Sequence, residues 1–510
     1  MMNGQHFQNQ TGGSKVSGFL NEPLAREIVE RITGPRLKRT FAGAVRWFPA
    51  INRAHLVMLA EQGLIEDAVA GALLVEIDRL ETEGPGAFTL DPEREDPWFN
   101  YETELTRRAG PDAGRLHMGR SRNDLKTTQD RLSARELAME LFSGCIGLRR
   151  ALFDKARAEC ETTMPGYTHL QHAQPMTFGW YLLGIEAALA RDAGRIWSAL
   201  ERMDQCPLGA GAFAGTRLPI RRERTAELLG FTAAQPHSLD AVANPDAIVE
   251  LTCAVMQLSM TIGRMCQDFY LWSTFEFDMI AFPDRVASTS SIMPQKKNLT
   301  ILENFKGRPA VLLGALNTAV ASLKGTPFGH SQEISIETNR WIWDALHEMA
   351  TMLPVASIIV DTAMPRRERM RTLAAANFAT ATSIADLLTL RYDVPFRDAH
   401  HIVGRYVRLV TEGADYREAL RAAALQELSQ IPDGIDDIID EAINPEKALA
   451  ALSVGPSRSE SGRLIAEGEV RLADEKEQFA ALRKRLEAAS AMLKTTCDLL
   501  KQGSNQETRR

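Results

Sequence analysis

From Asn244 to Phe269 the sequence admits few folds. Asn244 can cap a helix, Pro245 suits its first turn, and Asp246 places a carboxylate where the helix dipole favours one. Ile248, Leu251, Val255, Leu258, Ile262, Met265 and Phe269 then follow at spacings of three and four. This is a bundle or coiled-coil seam sustained for about 3 heptads. A helix of about 30 residues is roughly 45 Å long. Residues 124 to about 160 carry a second stripe through Leu125, Leu132, Leu137, Leu141, Leu148 and Leu152. Further helices are expected from about 176 to 203 and from 299 to 316. Several long helices with such seams predict an all-α bundle in which the chain also pairs with copies of itself.

A chain of 510 residues is too long for one ordinary core, so two to four domains are expected. Residues 20–110 read as short helices with polar breaks, and 83–97 as a loop. After Pro365 the expected helices shorten (377–390, 396–411, 416–428), and 462–500 reads as one amphipathic helix. Residues 1–15 lack the layout of a signal peptide, so 1–20 is expected to be disordered and 503–510 a polar tail. No apolar run approaches the length that spans a bilayer. A net charge of −7 argues against a nucleic-acid partner, which needs a basic stripe. The six cysteines show no C-x-x-C pair and no zinc spacing. Reduced thiols in a cytoplasmic protein are the simplest account.

Three polar stretches interrupt the helices. Ser290-Ser291-Ile292-Met293-Pro294-Gln295-Lys296-Lys297-Asn298 is a loop feeding a helix N-terminus, where free N–H groups favour an anion. On residue types alone a solvated basic loop is the simpler account, because lysine pairs are common on surfaces. Ser121, Arg122 and Asn123 stand at another helix start, where Asp124 can be only a cap and Arg122 only a surface ion pair. Thr168, His169, Gln171, His172 and Gln174 crowd hydrogen-bonding groups before Pro175. Such a cluster is either exposed or a site, because burial without partners is costly. Residues 207–219, rich in Gly, read as a hairpin or loop, and His400 and His401 as structural or surface groups.

The 290–298 run resembles the signature loop of the aspartase/fumarase superfamily, and Gln-Lys-Lys-Asn is the form typical of argininosuccinate lyases. His117-Met118-Gly119-Arg120-Ser121-Arg122-Asn123-Asp124 is similar to that family's first signature, and residues 165–175 to its second. Weaker similarity runs from about 40 to 460, and Val394-Pro395-Phe396-Arg397-Asp398-Ala399-His400 resembles the family's C-terminal domain. The resemblance implies a three-domain all-α fold (21–123, 124–365 and 366–502) with a central bundle of long helices, assembled as a homotetramer. It also implies active sites that each draw on three subunits. The implied reaction removes a proton beside a carboxylate and expels a group from the next carbon, leaving fumarate. Its aci-carboxylate intermediate carries two negative charges and needs a preorganised cradle with a base beside it.

By the same resemblance Ser290 is the base, and Lys296 and Asn298 hold the substrate carboxylate. Arg122, Asn123 and Thr168 add further carboxylate contacts, and Ser121, Gln171, Ser291 and His330 complete the substrate-binding set. His169 is polarised by a carboxylate, by position Glu303, and acts as acid for the leaving amine or supports a water. No metal or organic cofactor is implied: no phosphate loop with Lys-Ser/Thr and no H-E-x-x-H occurs.

Four departures stand out. Thr289 replaces the usual Gly, Leu299-Thr300 replaces Pro-Asp, and Asn52 replaces the Ser before the Ala54-His55 pair. After Leu323-Lys324-Gly325, the Tyr-Asn pair and the Gln and Lys that grip arginine's amino-acid end are absent. The aligned positions are His330, Ser335 and Thr338, or with no gap Gln332 keeps the Gln but the Lys is still lost. The fumarate half therefore reads as intact and the leaving-group half as rebuilt. The expected substrate is an N-substituted aspartate, either argininosuccinate or an aminopolycarboxylate such as ethylenediamine disuccinate. A non-catalytic scaffold is the alternative, weakened because Ser290, Lys296, Asn298, His169 and Glu303 are all kept.

Overall fold

The structure, a computed structural model, describes residues 22–507. The expected disordered segment 1–20 lies outside the described residues. Helices α1 (Phe48–Glu61), α2 (Asp67–Glu83) and α3 (Pro97–Ala109) organise the N-terminal part around one apolar cluster. Asp96 caps α3 by accepting from the Phe99 amide at 3.0 Å, and Pro97 fills the first turn, where its missing N–H costs nothing. Inside, Phe48 meets Trp98 and Tyr101 edge-on at 5.5 and 5.4 Å.

Five long helices form the centre: α4 (Arg122–Ala158), α5 (Phe178–Met203), α6 (Asp246–Trp272), α7 (Thr300–Leu323) and α8 (Ile342–Thr362). They share one core. The seam read from the sequence is buried on α6, its residues lying between 0% and 4% exposed. Helix α6 packs against α5 and α7, and α4 against α5 and α8. One correction concerns length. Among the described residues α6 is long and apolar enough to cross a membrane, although no run was expected to approach that length. Its apolar face is instead buried in the bundle core.

A second correction lies between α4 and α5. The sequence predicts a loop and then helix from about 176. The chain forms an antiparallel hairpin, β1 (Thr163–Thr168) and β2 (Gln171–Thr177), and α5 starts at Phe178. His169 and Leu170 make its two-residue turn, both left-handed with φ of 54° and 58°. Such turns are usually signalled by Asn-Gly or Asp-Gly, so this one gave no sign. A second small hairpin, β3 (Ser288–Thr289) and β4 (Lys297–Asn298), carries the 290–296 loop at its end, with Ser288 opposite Asn298.

Beyond the bundle α9 (Ala381–Tyr392), α10 (Phe396–Thr411), α11 (Tyr416–Glu427) and α12 (Ile435–Ala442) close on an apolar cluster of their own. The last helix, α13 (Arg458–Glu507), does not join it. Ile465 and Leu472 enter the bundle core, and Leu493 and Cys497 enter the N-terminal cluster. The helix also continues to Glu507, through part of the expected polar tail. Arg149, fully buried on α4, binds Glu186 of α5 at 2.8 Å and Glu475 of α13, tying the last helix to the bundle. The packing is tight at Gly468, where an added Cβ would stand 2.3 Å from the Phe153 ring. Gly468→Ala should therefore destabilise by about 1–3 kcal/mol through overpacking. Gly462→Ala, on the open face of the same helix, should stabilise by about 0.5–1 kcal/mol. Urea unfolding of the two variants checks the opposite signs.

Candidate active site

The first signature opens α4. The Ser121 hydroxyl accepts from the Asn123 amide at 3.2 Å, and Asp124 Oδ1 accepts from the Ser121 amide at 2.8 Å, a reciprocal cap. Asp124 is fully buried, and its second oxygen accepts from the amides of Gly209 and Gly211, each at 2.9 Å. Both glycines hold left-handed φ, 86° and 66°, which lets the chain fold back onto one carboxylate oxygen. Burial nevertheless pushes the Asp124 carboxyl up to about 6. Arg122 pairs with Asp96 at 3.2 Å and Glu95 at 3.3 Å, yet its side chain is 45% exposed. The amide of Asn123 donates from Nδ2 to the Ala212 carbonyl at 3.3 Å. Asp124 is thus a cap and also the anchor of the glycine-rich loop, while Arg122 makes surface ion pairs and keeps an exposed edge.

The second signature is the β1–β2 hairpin. Thr168 and Gln171 pair across the turn, and His169 is exposed at its tip, with no hydrogen bond or ion pair among the described residues. Holding His169 and Leu170 at positive φ carries a backbone cost of about 1–3 kcal/mol each.

In the third signature the two lysines differ. Lys297 Nζ binds Asp284 at 2.8 Å and the Phe282 carbonyl, so it anchors the base of the hairpin. Lys296 is exposed and has no ion-pair partner among the described residues. The Ser290 hydroxyl oxygen accepts from the amides of Met293 at 3.1 Å and Ile292 at 3.4 Å. Ser291 is exposed, and Asn298 is half-buried on β4. Glu303, in the first turn of α7, accepts from the Tyr270 hydroxyl at 2.9 Å. The expected contact between Glu303 and His169 is not made within one chain. No hydrogen bond or ion pair among the described residues joins any two of the three signatures.

The 326–338 segment lies beside α4. His330 Nδ1 stands 3.2 Å from the Val242 carbonyl, which can only accept, so Nδ1 carries the proton. Burial lowers the His330 pKa, and the nearby charges of Arg122 and Lys126 act in the same direction. Lys126 is one turn after Arg122 and binds the buried Asp130 at 2.5 Å. The other aligned positions do not present free groups. Thr338 is 1% exposed and donates to the Glu333 carbonyl at 2.8 Å. Ser335 donates to the Ser331 carbonyl at 3.0 Å, beside a cavity of about 20 Å³ that Asp130 also lines. Gln332 Oε1 accepts from Arg36 at 3.1 Å. Lys126, Asp130 and Tyr270 were not singled out from the sequence. The first two share a face of α4 with Arg122 at steps of four, a spacing that could have found them. Among the described residues no three His, Cys, Asp or Glu side chains gather to hold a metal ion.

A family model described as lyase matches residues 88–314, and one described as argininosuccinate lyase C-terminal matches 378–450. Argininosuccinate lyase 1 of Shouchella clausii is 32% identical over 96% of this chain and 99% of its own. The argininosuccinate lyase of Methanocorpusculum labreanum is 36% identical over 87% of this chain and 91% of its own. The chain belongs to the argininosuccinate lyase family. It is a fumarate-releasing carbon–nitrogen lyase with the all-α fold of the aspartase/fumarase superfamily. Among solved structures of similar fold, EDDS lyase in complex with formate superposes with a TM-score of 0.83 and 30% identity, covering 95% of this chain and 97% of that one. All three signatures of this lyase fall within the first matched region, whereas residues 326–338 fall between the two.

Proposed function

We propose that the enzyme cleaves an N-substituted aspartate by anti β-elimination, giving fumarate and an amine. Ser290 Oγ, as its alkoxide, takes the proton from the carbon beside the carboxylate to give the aci-carboxylate, from which the C–N bond breaks as the double bond forms. Lys296 and Asn298 hold the aci-carboxylate charge, and the Ile292 and Met293 amides hold Ser290 Oγ. Arg122, Asn123, Ser121, Thr168, Gln171 and Ser291 hold the substrate's carboxylates. His169, supported by Glu303, serves the leaving amine or a bound water.

The observation that carries this reading is the separation of the signatures within one chain, each left with uncommitted groups at an exposed edge. Among the described residues Lys296, His169 and the outer edge of Arg122 have chemistry without partners, which suits a site completed by three subunits of a homotetramer. Exposed apolar side chains on the bundle, Met260, Val311, Val320 and Ile358, suit burial between copies. The enzyme on this reading is cytoplasmic, and its partners are a small dicarboxylate amino-acid substrate and its own copies.

Among the described residues at the amine end, His330 keeps its bare Nε2 and Gln332 its side-chain NH2 uncommitted, and neither offers a lysine's charge. With Thr338 buried and no lysine at that position, an aminopolycarboxylate such as ethylenediamine disuccinate is favoured over argininosuccinate. Fumarate absorbance is the assay, with argininosuccinate, ethylenediamine disuccinate, adenylosuccinate, aspartate and malate as the panel. Turnover of argininosuccinate alone overturns the choice of amine, and turnover of none overturns the reading. His330→Leu should lower kcat/KM about tenfold, mainly through KM, as expected for one lost hydrogen bond to the leaving group.

A further inference from the structure

Glu303 is exposed at the start of α7, and the Tyr270 hydroxyl is its one hydrogen-bond partner among the described residues. Tyr270 stands on the last turn of α6, next to the seam residue Phe269. Lys306, three residues after Glu303 and so on the same face of α7, holds its ammonium 4.0 Å from the centre of the Tyr270 ring. The phenol is therefore gripped twice, its ring by a cation and its hydroxyl by a carboxylate. Packing explains the ring, because Tyr270 lies against the bundle core. It does not explain the hydroxyl, which a phenylalanine would lack at no cost to the contact. Its bond to Glu303 is also what raises the Tyr270 pKa, the sign of a donor held by an ionised acceptor.

We propose that Tyr270 is a positioning residue that fixes one oxygen of Glu303, leaving the other aimed at the His169 of a neighbouring subunit. The proposal rests on the pairing of Glu303 with His169 put forward above. A glutamate on an exposed helix turn has several rotamers, and an oriented pair forms faster when most of them are already excluded. Tyr270 and Lys306 do this from within one chain, before any second subunit contributes.

A double-mutant cycle on the full-length enzyme tests it, with kcat and KM for fumarate release read separately. Tyr270→Phe is expected to lower kcat about tenfold while KM stays within about twofold and the melting temperature is unchanged. In a Glu303→Gln background the same substitution should have no further effect. The proposal is overturned if Tyr270→Phe leaves kcat intact while Glu303→Gln lowers it, or if the two effects multiply in full. If Glu303→Gln costs nothing, the Glu303 assignment and this proposal fall together. Ser290→Ala then decides separately whether the elimination reading stands.

Discussion

Ser290→Ala is expected to lower kcat by about a thousandfold or more, with the melting temperature within about 1 °C of the parent. The two outcomes come from different parts of the structure. On the proposed mechanism turnover depends on an oxygen able to carry negative charge, and Ser290 Oγ already accepts from the Met293 and Ile292 amides at 3.1 and 3.4 Å. Donors aimed at an oxygen stabilise its alkoxide more than its hydroxyl. Stability depends little on the same atom, because the loop from Ser291 to Lys297 is exposed and both amides can turn to water. Lys296→Met should also cost at least about a hundredfold in kcat, because no other cation of the loop is free. Lys297→Met should act differently. It removes the anchor to Asp284 and the Phe282 carbonyl, so it should loosen the loop and raise KM. A Ser290→Ala enzyme that keeps more than a tenth of its kcat would exclude Ser290 as the base. Stopped-flow absorbance of fumarate with circular dichroism on the same samples measures both quantities.

What the sequence made legible follows from the range of the forces involved. The α6 seam was readable because burial along a long helix repeats the same demand every three or four residues, and each of Ile248 to Phe269 answers it. The signature stretches were readable because their chemistry needs particular side chains close together in the chain. The β1–β2 hairpin was not, because two left-handed residues at His169 and Leu170 are held by cross-strand pairing rather than by local preference. The path of α13 was equally hidden. Its amphipathic pattern predicts a helix but does not say which surface the helix covers, and Arg149, which binds Glu475, is far away in sequence. Within the site, two adjacent lysines looked alike until Asp284 claimed one of them. Tyr270 gave no sign because its partner lies on the next helix.

Asp124→Ala should be the most damaging single change near the first signature, costing about 3–5 kcal/mol and raising KM at least about tenfold. The side chain looks like an ordinary cap in the sequence, and it is one, but its second oxygen also holds Gly209 and Gly211. Alanine leaves two buried amides with nothing to bind, and a third, that of Ser121, loses its cap. Each orphaned buried donor costs about 1–3 kcal/mol. The activity loss follows because the released glycine-rich loop carries the Ala212 carbonyl that holds Asn123, and Arg122 stands one residue before it. Asp124→Asn keeps the shape but turns an N–H₂ toward an N–H, so an intermediate loss is expected. The pH dependence gives a second check with a definite sign. Burial raises this carboxyl from 3.8 to about 6, so between those values the native state binds the proton that the unfolded chain has released. The stability that Asp124 contributes is therefore greatest below about 4 and declines as pH rises through about 6, by at most about 3 kcal/mol. Asparagine does not titrate, so the gap between the parent and Asp124→Asn should narrow across that window. Urea unfolding at pH 4, 5, 6 and 7 measures it, and a gap that widens with pH would mean that the three amides outweigh burial and hold the carboxyl below its ordinary value.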